Sequence, residues 1–311
     1  MHNLQFDEVS QETLHVIAAR HGLEVDTCAR LPQVGVINTI YALGDTYVLR
    51  VPRDHPGPIA QARAESLAAP AARAAGVRTP ALVAYDATGE VLPVPYLVYE
   101  RIHGRTLGLL DWEPAALPQV WRELGRDLAL LHHNVSLDGP ATALRTEEPP
   151  PDPRVLVDER ATDGWFTALE VRWLTRWLDR LAPQALRSVP RRMLHLDVQA
   201  TNVMVCEQAL EYCALLDWGC AGWGDAAYDF FGLPLRAVPF LLEGHRAVTP
   251  LDDDESAEAR IVWRHVQFAL AVLPRGAAPG LAWGERPLAW LLEVLRFFLE
   301  SPGIRWQDLR P

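Results

Sequence analysis

Apolar positions follow two rhythms along this 311-residue chain, and the change falls near residue 102. Before it, short runs of β-branched and aromatic residues dominate. Residues 39–43 and 46–51 flank a Gly44-Asp45 turn, which predicts a β-hairpin. Residues 81–85 and 95–100 predict two more strands. Helical spacing interrupts them twice. Leu14, Ile17, Ala18 and His21 follow Ser10, a good N-cap, and stop at Gly22. The Ala-rich stretch from Pro58 to Ala75 predicts a second helix, stopped by Gly76. The first hundred residues therefore read as a small sheet with a helix packed on it.

After Gly104 the period becomes that of a helix. Val120, Leu124, Leu128 and Leu131 form one stripe, in a helix ending near His132-His133. Phe166, Leu169, Trp173, Leu174, Trp177, Leu178 and Leu181 form a second, and Leu288, Leu291, Leu292, Leu295 and Leu299 a third. The Pro-rich run 147–153 reads as a loop. The fold class expected is α+β in two lobes, residues 1–101 β-rich and residues 102–311 mostly helical.

Within the helical half a second hairpin is expected, with Val203-Met204-Val205 going out and residues 211–216 returning. It would set Asn202 beside Asp217. Ahead of it lies His195-Leu196-Asp197, giving the spacing H-x-D-x-x-x-x-N up to Asn202, while Asp217-Trp218-Gly219 follows an apolar run. Kinase-type phosphoryl transfer needs these groups: an Asp to accept a hydroxyl proton, and an Asn and an Asp to hold Mg²⁺.

The supporting groups stand in the matching order. The turn around Gly35, with Asn38 after it, could fold over nucleotide phosphates. Arg50 lies mid-strand and shares a face with Val48, where its guanidinium could grip two phosphate oxygens. Glu65 on the following helix could pair with it. The segment from Glu100 to Ile102 joins the lobes, where backbone groups could meet an adenine edge.

Composition narrows the picture. A net charge of −11 argues against nucleic acid or an anionic membrane as the main partner, and mildly favours a cationic substrate. Residues 252–255 are all acidic and could attract ammonium groups, or simply begin a helix. No apolar run approaches the ~20 residues that span a bilayer. The first eight residues lack a signal-peptide pattern, so a cytoplasmic location is expected. Cys206, Cys213 and Cys220 sit seven apart, which is no zinc spacing; they flank the motifs and are expected to be buried free thiols. All 29 basic residues are Arg, so Arg50 stands where a kinase usually has Lys.

On these motifs the chain resembles the aminoglycoside phosphotransferase and choline kinase-like superfamily, small-molecule kinases with a protein-kinase-like fold. The likeness runs from about Leu31 to Leu233, through residues 47–53, Glu65, residues 100–107 and 128–132. It is strongest at 195–205 and 216–229. The resemblance implies that Asp197 is the catalytic base, that Asn202 and Asp217 bind Mg²⁺, and that ATP or GTP is the donor. His195, Asp225 and Asp229 would be structural supports, the two acids bracing the catalytic loop. Departures are Leu196 where Gly is usual, Gln199-Ala200-Thr201 where His-Pro-Gly is usual, and Ala226 where Pro is common. The implied acceptors are an aminoglycoside-type antibiotic, or a metabolic amino alcohol, sugar or homoserine. A non-catalytic nucleotide-binding pseudokinase is the alternative outside enzymes. Only residues 218–224 separate Asp217 from Asp225, which leaves no room for a protein-kinase activation segment.

Overall fold

The structure is a computed structural model that describes residues 8–32, 37–110, 112–206, 209–275, 286–300 and 303–311. Its first part follows the hydrophobic pattern closely. Helix α1 (Gln11–Arg20) starts where the Ser10 hydroxyl accepts from the Thr13 amide. Strands β1 (Cys28–Arg30), β2 (Asn38–Leu43) and β3 (Tyr47–Pro52), helix α2 (Pro56–Ala74) and strands β4 (Leu82–Asp86) and β5 (Tyr96–Glu100) complete it. The strands form one antiparallel sheet in the order β1-β2-β3-β5-β4. Leu14, Ile17, Tyr41, Leu43, Leu49, Tyr96 and Val98 fill the space between sheet and α1. The Ala-rich face of α2 turns instead to the main core, which it shares with the helical part. This joint core fixes α2, and Glu65 with it, against the rest of the molecule.

The helical part contains β6 (Arg105–Thr106), α3 (Pro118–Asn134), α4 (Pro153–Thr162), α5 (Ala168–Ala185) and β7 (Arg192–Leu194). Then come β8 (Val203–Val205), β9 (Tyr212–Leu215), β10 (Gly222–Gly224), α6 (Val238–Val248), α7 (Ala257–Val272), α8 (Pro287–Leu299) and α9 (Ile304–Gln307). Strands β6, β8 and β9 make one small sheet, and β7 pairs with β10. All four residues of the α3 stripe are buried. Helices α3 and α6 approach so closely that only glycine fits at the contact. A Cβ on Gly125 would lie 2.0 Å from the Leu241 carbonyl oxygen, and one on Gly244 1.9 Å from that of Arg122.

Several expectations need correction. The Pro-rich run is a loop only as far as Asp152, whose side chain caps α4 by accepting from the Arg154 amide, with Pro153 at the first helical position. Helix α5 buries Leu174, Trp177, Leu178 and Leu181 but leaves Leu169 and Trp173 exposed. In α8 Leu288, Leu292 and Leu299 of the leucine row are exposed, while Leu291 packs against the core. Trp290, Val294, Phe297 and Phe298 face inward. Both rows have helical spacing, and the bulkier aromatic row fills the core. Cys206 and Cys213 are not free thiols. They are joined as a disulfide across the β8–β9 hairpin, with Cα atoms 5.8 Å apart. Cys28 and Cys220 are free and half-buried. No described helix is long and apolar enough to cross a membrane.

Candidate active site

A cleft of about 940 Å³ opens between the sheet and the helical part. It is lined by Asn38, Arg50, Glu65, Glu100, Ile102, Asp197, Asn202 and Asp217, so eight residues singled out from sequence meet at one place. Gly35 lies outside the described residues.

Arg50 reaches the cleft through strand geometry. It stands opposite Ile40 on one neighbouring strand and Leu97 on the other, which fixes the face its side chain takes. Its Nη1 lies 2.5 Å from Glu65 Oε1 and its Nη2 3.1 Å from Asp217 Oδ1. Burial disfavours the guanidinium charge, but the two carboxylates more than restore it and hold its pKa above the ordinary value. The two acids part company. Burial and the Asp217 charge push Glu65 up to about 7 against the pull of Arg50. Asp217 is also buried, yet Arg50 keeps its carboxyl below the ordinary value.

The second hairpin does what its sequence suggested. The Leu216 amide donates to the Asn202 carbonyl at 2.9 Å, so the residues before and after the hairpin are neighbours. The Asn202 amide nitrogen donates to the Asp197 carbonyl and to Asp197 Oδ2, both at 2.9 Å. With both N–H groups spent there, the amide oxygen is left to act as a ligand. Asp197 Oδ1 accepts from Gln199 Nε2 at 2.7 Å. Burial and the neighbouring Asp217 charge raise the pKa of Asp197, while Gln199 and Asn202 oppose the rise. Gln199 is thus a site residue that sequence treated only as a departure; its proximity to Asp197, two places back, was the available signal.

His195 is fully buried. Its Nε2 donates to the Leu216 carbonyl at 2.9 Å and its Nδ1 accepts from the Asp197 amide at 3.2 Å, which ties the loop to the strand before Asp217. Asp229 accepts from the His195 amide at 2.9 Å and the Leu196 amide at 2.7 Å. Leu196 has φ +62°, in the left-handed region, which explains why glycine suits this position. Asp225 is a different case. Its carboxylate pairs with Arg260 and caps the turn at Ala227, so of the two acids Asp229 is the one that braces the loop.

Behind Asp229 lies a pair of buried histidines that sequence did not single out as functional. His132 Nε2 is 2.9 Å from Asp229 Oδ2, and His132 Nδ1 is 3.2 Å from His245 Nε2. His245 Nδ1 is 2.8 Å from the Thr249 carbonyl, which can only accept. Burial lowers the pKa of His245 to about 3. The α3–α6 contact at Gly125 and Gly244 brings these rings together.

The acidic residues 252–255 do not line the cleft. Asp252 pairs with Arg192, Asp253 with Arg187, and Asp254 with Arg246 and Arg305.

Comparisons with known proteins agree with this geometry. Residues 29–249 match a family described as APH, phosphotransferase enzyme family. No match was found among curated proteins. Among solved structures, the GDP complex of an aminoglycoside 2'-phosphotransferase aligns with a TM-score of 0.60 at 17% identity, over 93% of this chain and 96% of that one. A macrolide 2'-phosphotransferase from Brachybacterium faecium aligns at 0.58 and 22%, over 94% and 99%. A choline/ethanolamine kinase family protein from Mesorhizobium loti aligns at 0.58 and 16%, over 96% and 99%. These likenesses establish a kinase-like fold, with a β-sheet first part and a helical second part.

Proposed function

The chain belongs to the phosphotransferase enzyme family, and from that premise we propose that it transfers the γ-phosphate of Mg²⁺-bound ATP or GTP to a hydroxyl of a small molecule. The observation that carries this reading is the convergence of Arg50, Asp197, Asn202 and Asp217 at one end of the cleft. On this reading residues 1–101 hold the nucleotide and residues 102–311 hold the catalytic groups and the acceptor.

Each group then has a task. The backbone of Glu100 to Ile102, which lines the cleft, would meet a purine edge; the Glu100 and Arg101 amides are spent on Ala81 and Thr46. Arg50, oriented by Glu65, grips phosphate oxygens with its planar fork. The donors left at Asn202 and Asp217 are hard oxygens, few in number, and suit Mg²⁺, which completes its shell with phosphate and water. When bound, Mg²⁺ supplies charge neutralisation of the phosphates. Asp197, pinned by Gln199 and Asn202, orients the acceptor hydroxyl and takes its proton late in an in-line transfer. Positioning and fixed charges provide most of the rate.

Two of the aligned structures are described as a GDP complex of an aminoglycoside 2'-phosphotransferase and an ADP and spectinomycin complex of a spectinomycin phosphotransferase, so both purine donors deserve a trial. The test is thermal stabilisation by ATP and by GTP, with and without Mg²⁺. Stabilisation that depends on Mg²⁺ and is lost in Asp217→Ala supports the reading. Stabilisation indifferent to Mg²⁺ would favour a non-catalytic nucleotide binder.

A further inference from the structure

The cleft continues past Asp197 into a second half with a different lining. It is walled by residues 108–110 and 112–114, by Gly232, Pro234 and Arg236, and by Arg296 of α8. Leu109, Leu110, Trp112, Pro114 and Pro234 line it, and Leu109 is 62% exposed. Trp112 is held rigidly. Its indole N–H donates to the Leu107 carbonyl at 2.6 Å, and its ring lies against Trp121 with centroids 5.2 Å apart. Its single polar atom is therefore spent, and the ring it offers the cleft is an apolar platform. An exposed leucine beside a fixed aromatic face, at the mouth of a pocket, marks a surface made to be covered by a ligand.

The charges of this half are already paired. Among the described residues, Arg236 meets the carboxylates of Glu113, Glu293 and Glu300. Arg236 cannot leave easily, since Glu293 holds its Nε at 2.9 Å and its Nη2 at 3.0 Å. Arg296 also lines this half and pairs with Glu300 at 3.3 Å. An ammonium group entering here would compete with a fixed guanidinium for a carboxylate already in use. Asp252, Asp253 and Asp254 are engaged elsewhere.

We propose that the acceptor is an alcohol with a broad apolar face, seated on Trp112 and Leu109 with its hydroxyl turned to Asp197. The proposal rests on the reading of the cleft as a kinase site.

The test measures phosphoryl transfer from Mg²⁺-nucleotide to four probes. Erythromycin and octyl glucoside present apolar faces; kanamycin is a polycation and choline a small cation. An apolar-faced probe should exceed both cationic probes in kcat/KM by about tenfold or more, the scale set by loss of one buried contact. Trp112→Ala should raise the KM for that probe by about tenfold while leaving the nucleotide KM unchanged. Leu109→Asp, at a position too exposed to affect folding, should raise the same KM. Preference for kanamycin or choline, or acceptor KM values unmoved by both variants, overturns the proposal. So does absence of transfer to either apolar-faced probe. In those cases Mg²⁺-dependent nucleotide binding by the same protein would leave the kinase reading standing; its loss as well would sink both.

Discussion

The two halves of the cleft are held by opposite means. At the phosphoryl end almost every side chain is polar and fixed by another: Arg50 between Glu65 and Asp217, Asp197 between Gln199 and Asn202, and Asp229 beneath the loop amides. At the acceptor end the wall is apolar, and its charges are neutralised in pairs. The first arrangement suits chemistry that cannot tolerate misplacement. The second imposes shape and polarity on a ligand without dictating each contact, so changes there can alter the acceptor without touching the transfer machinery.

This contrast can be broken most sharply at Asp229. Asp229→Ala leaves two loop amides and the His132 ring without their acceptor. The expected loss is about 3 kcal/mol of stability or more, at about 1–3 kcal/mol for each buried polar group left unpaired. Denaturant unfolding measures it; a loss below about 1 kcal/mol would deny the brace. Next in size is Arg50→Ala, expected to lower kcat/KM for the nucleotide about a hundredfold while the acceptor KM barely moves. Steady-state kinetics with each substrate varied in turn would show whether the two ends are separable; equal changes in both KM values would mean they are not.

The smallest effect concerns pH. The native pKa of His245, about 3, lies below the ordinary value of about 6.5. Its contribution to stability is therefore complete above pH 6.5 and declines as pH falls toward 3. Between pH 6.5 and 5 it should lose about 2 kcal/mol. That part of the decline should vanish in His245→Asn, compared by denaturant titration at the two pH values; an identical decline in the variant would remove His245 from the account.

What sequence revealed follows the same division. The phosphoryl end was legible because its determinants are local. Alternation along β3 gives the face of Arg50, and one short hairpin carries Asn202 to Asp217. The brace was half legible. Asp229 stood in a motif, but His132 and His245 meet across 113 residues, through a helix contact that depends on Gly125 and Gly244. The acceptor wall was hidden, since Trp112, Pro234 and Arg296 come from distant segments that no periodicity joins. The outer leucine row of α8 misled for a related reason. Periodicity identifies a helix with two apolar rows but does not say which row the core takes.

The central claim is that Asp197 receives the acceptor proton within a site whose nucleotide grip is separate. It is tested most directly by Asp197→Asn, a change that keeps shape and removes the carboxylate. Transfer from Mg²⁺-nucleotide to an accepted alcohol should fall by about 10³-fold in kcat, within the range for loss of a general base, while nucleotide affinity stays within about threefold. Turnover within about tenfold of the native protein would contradict the account.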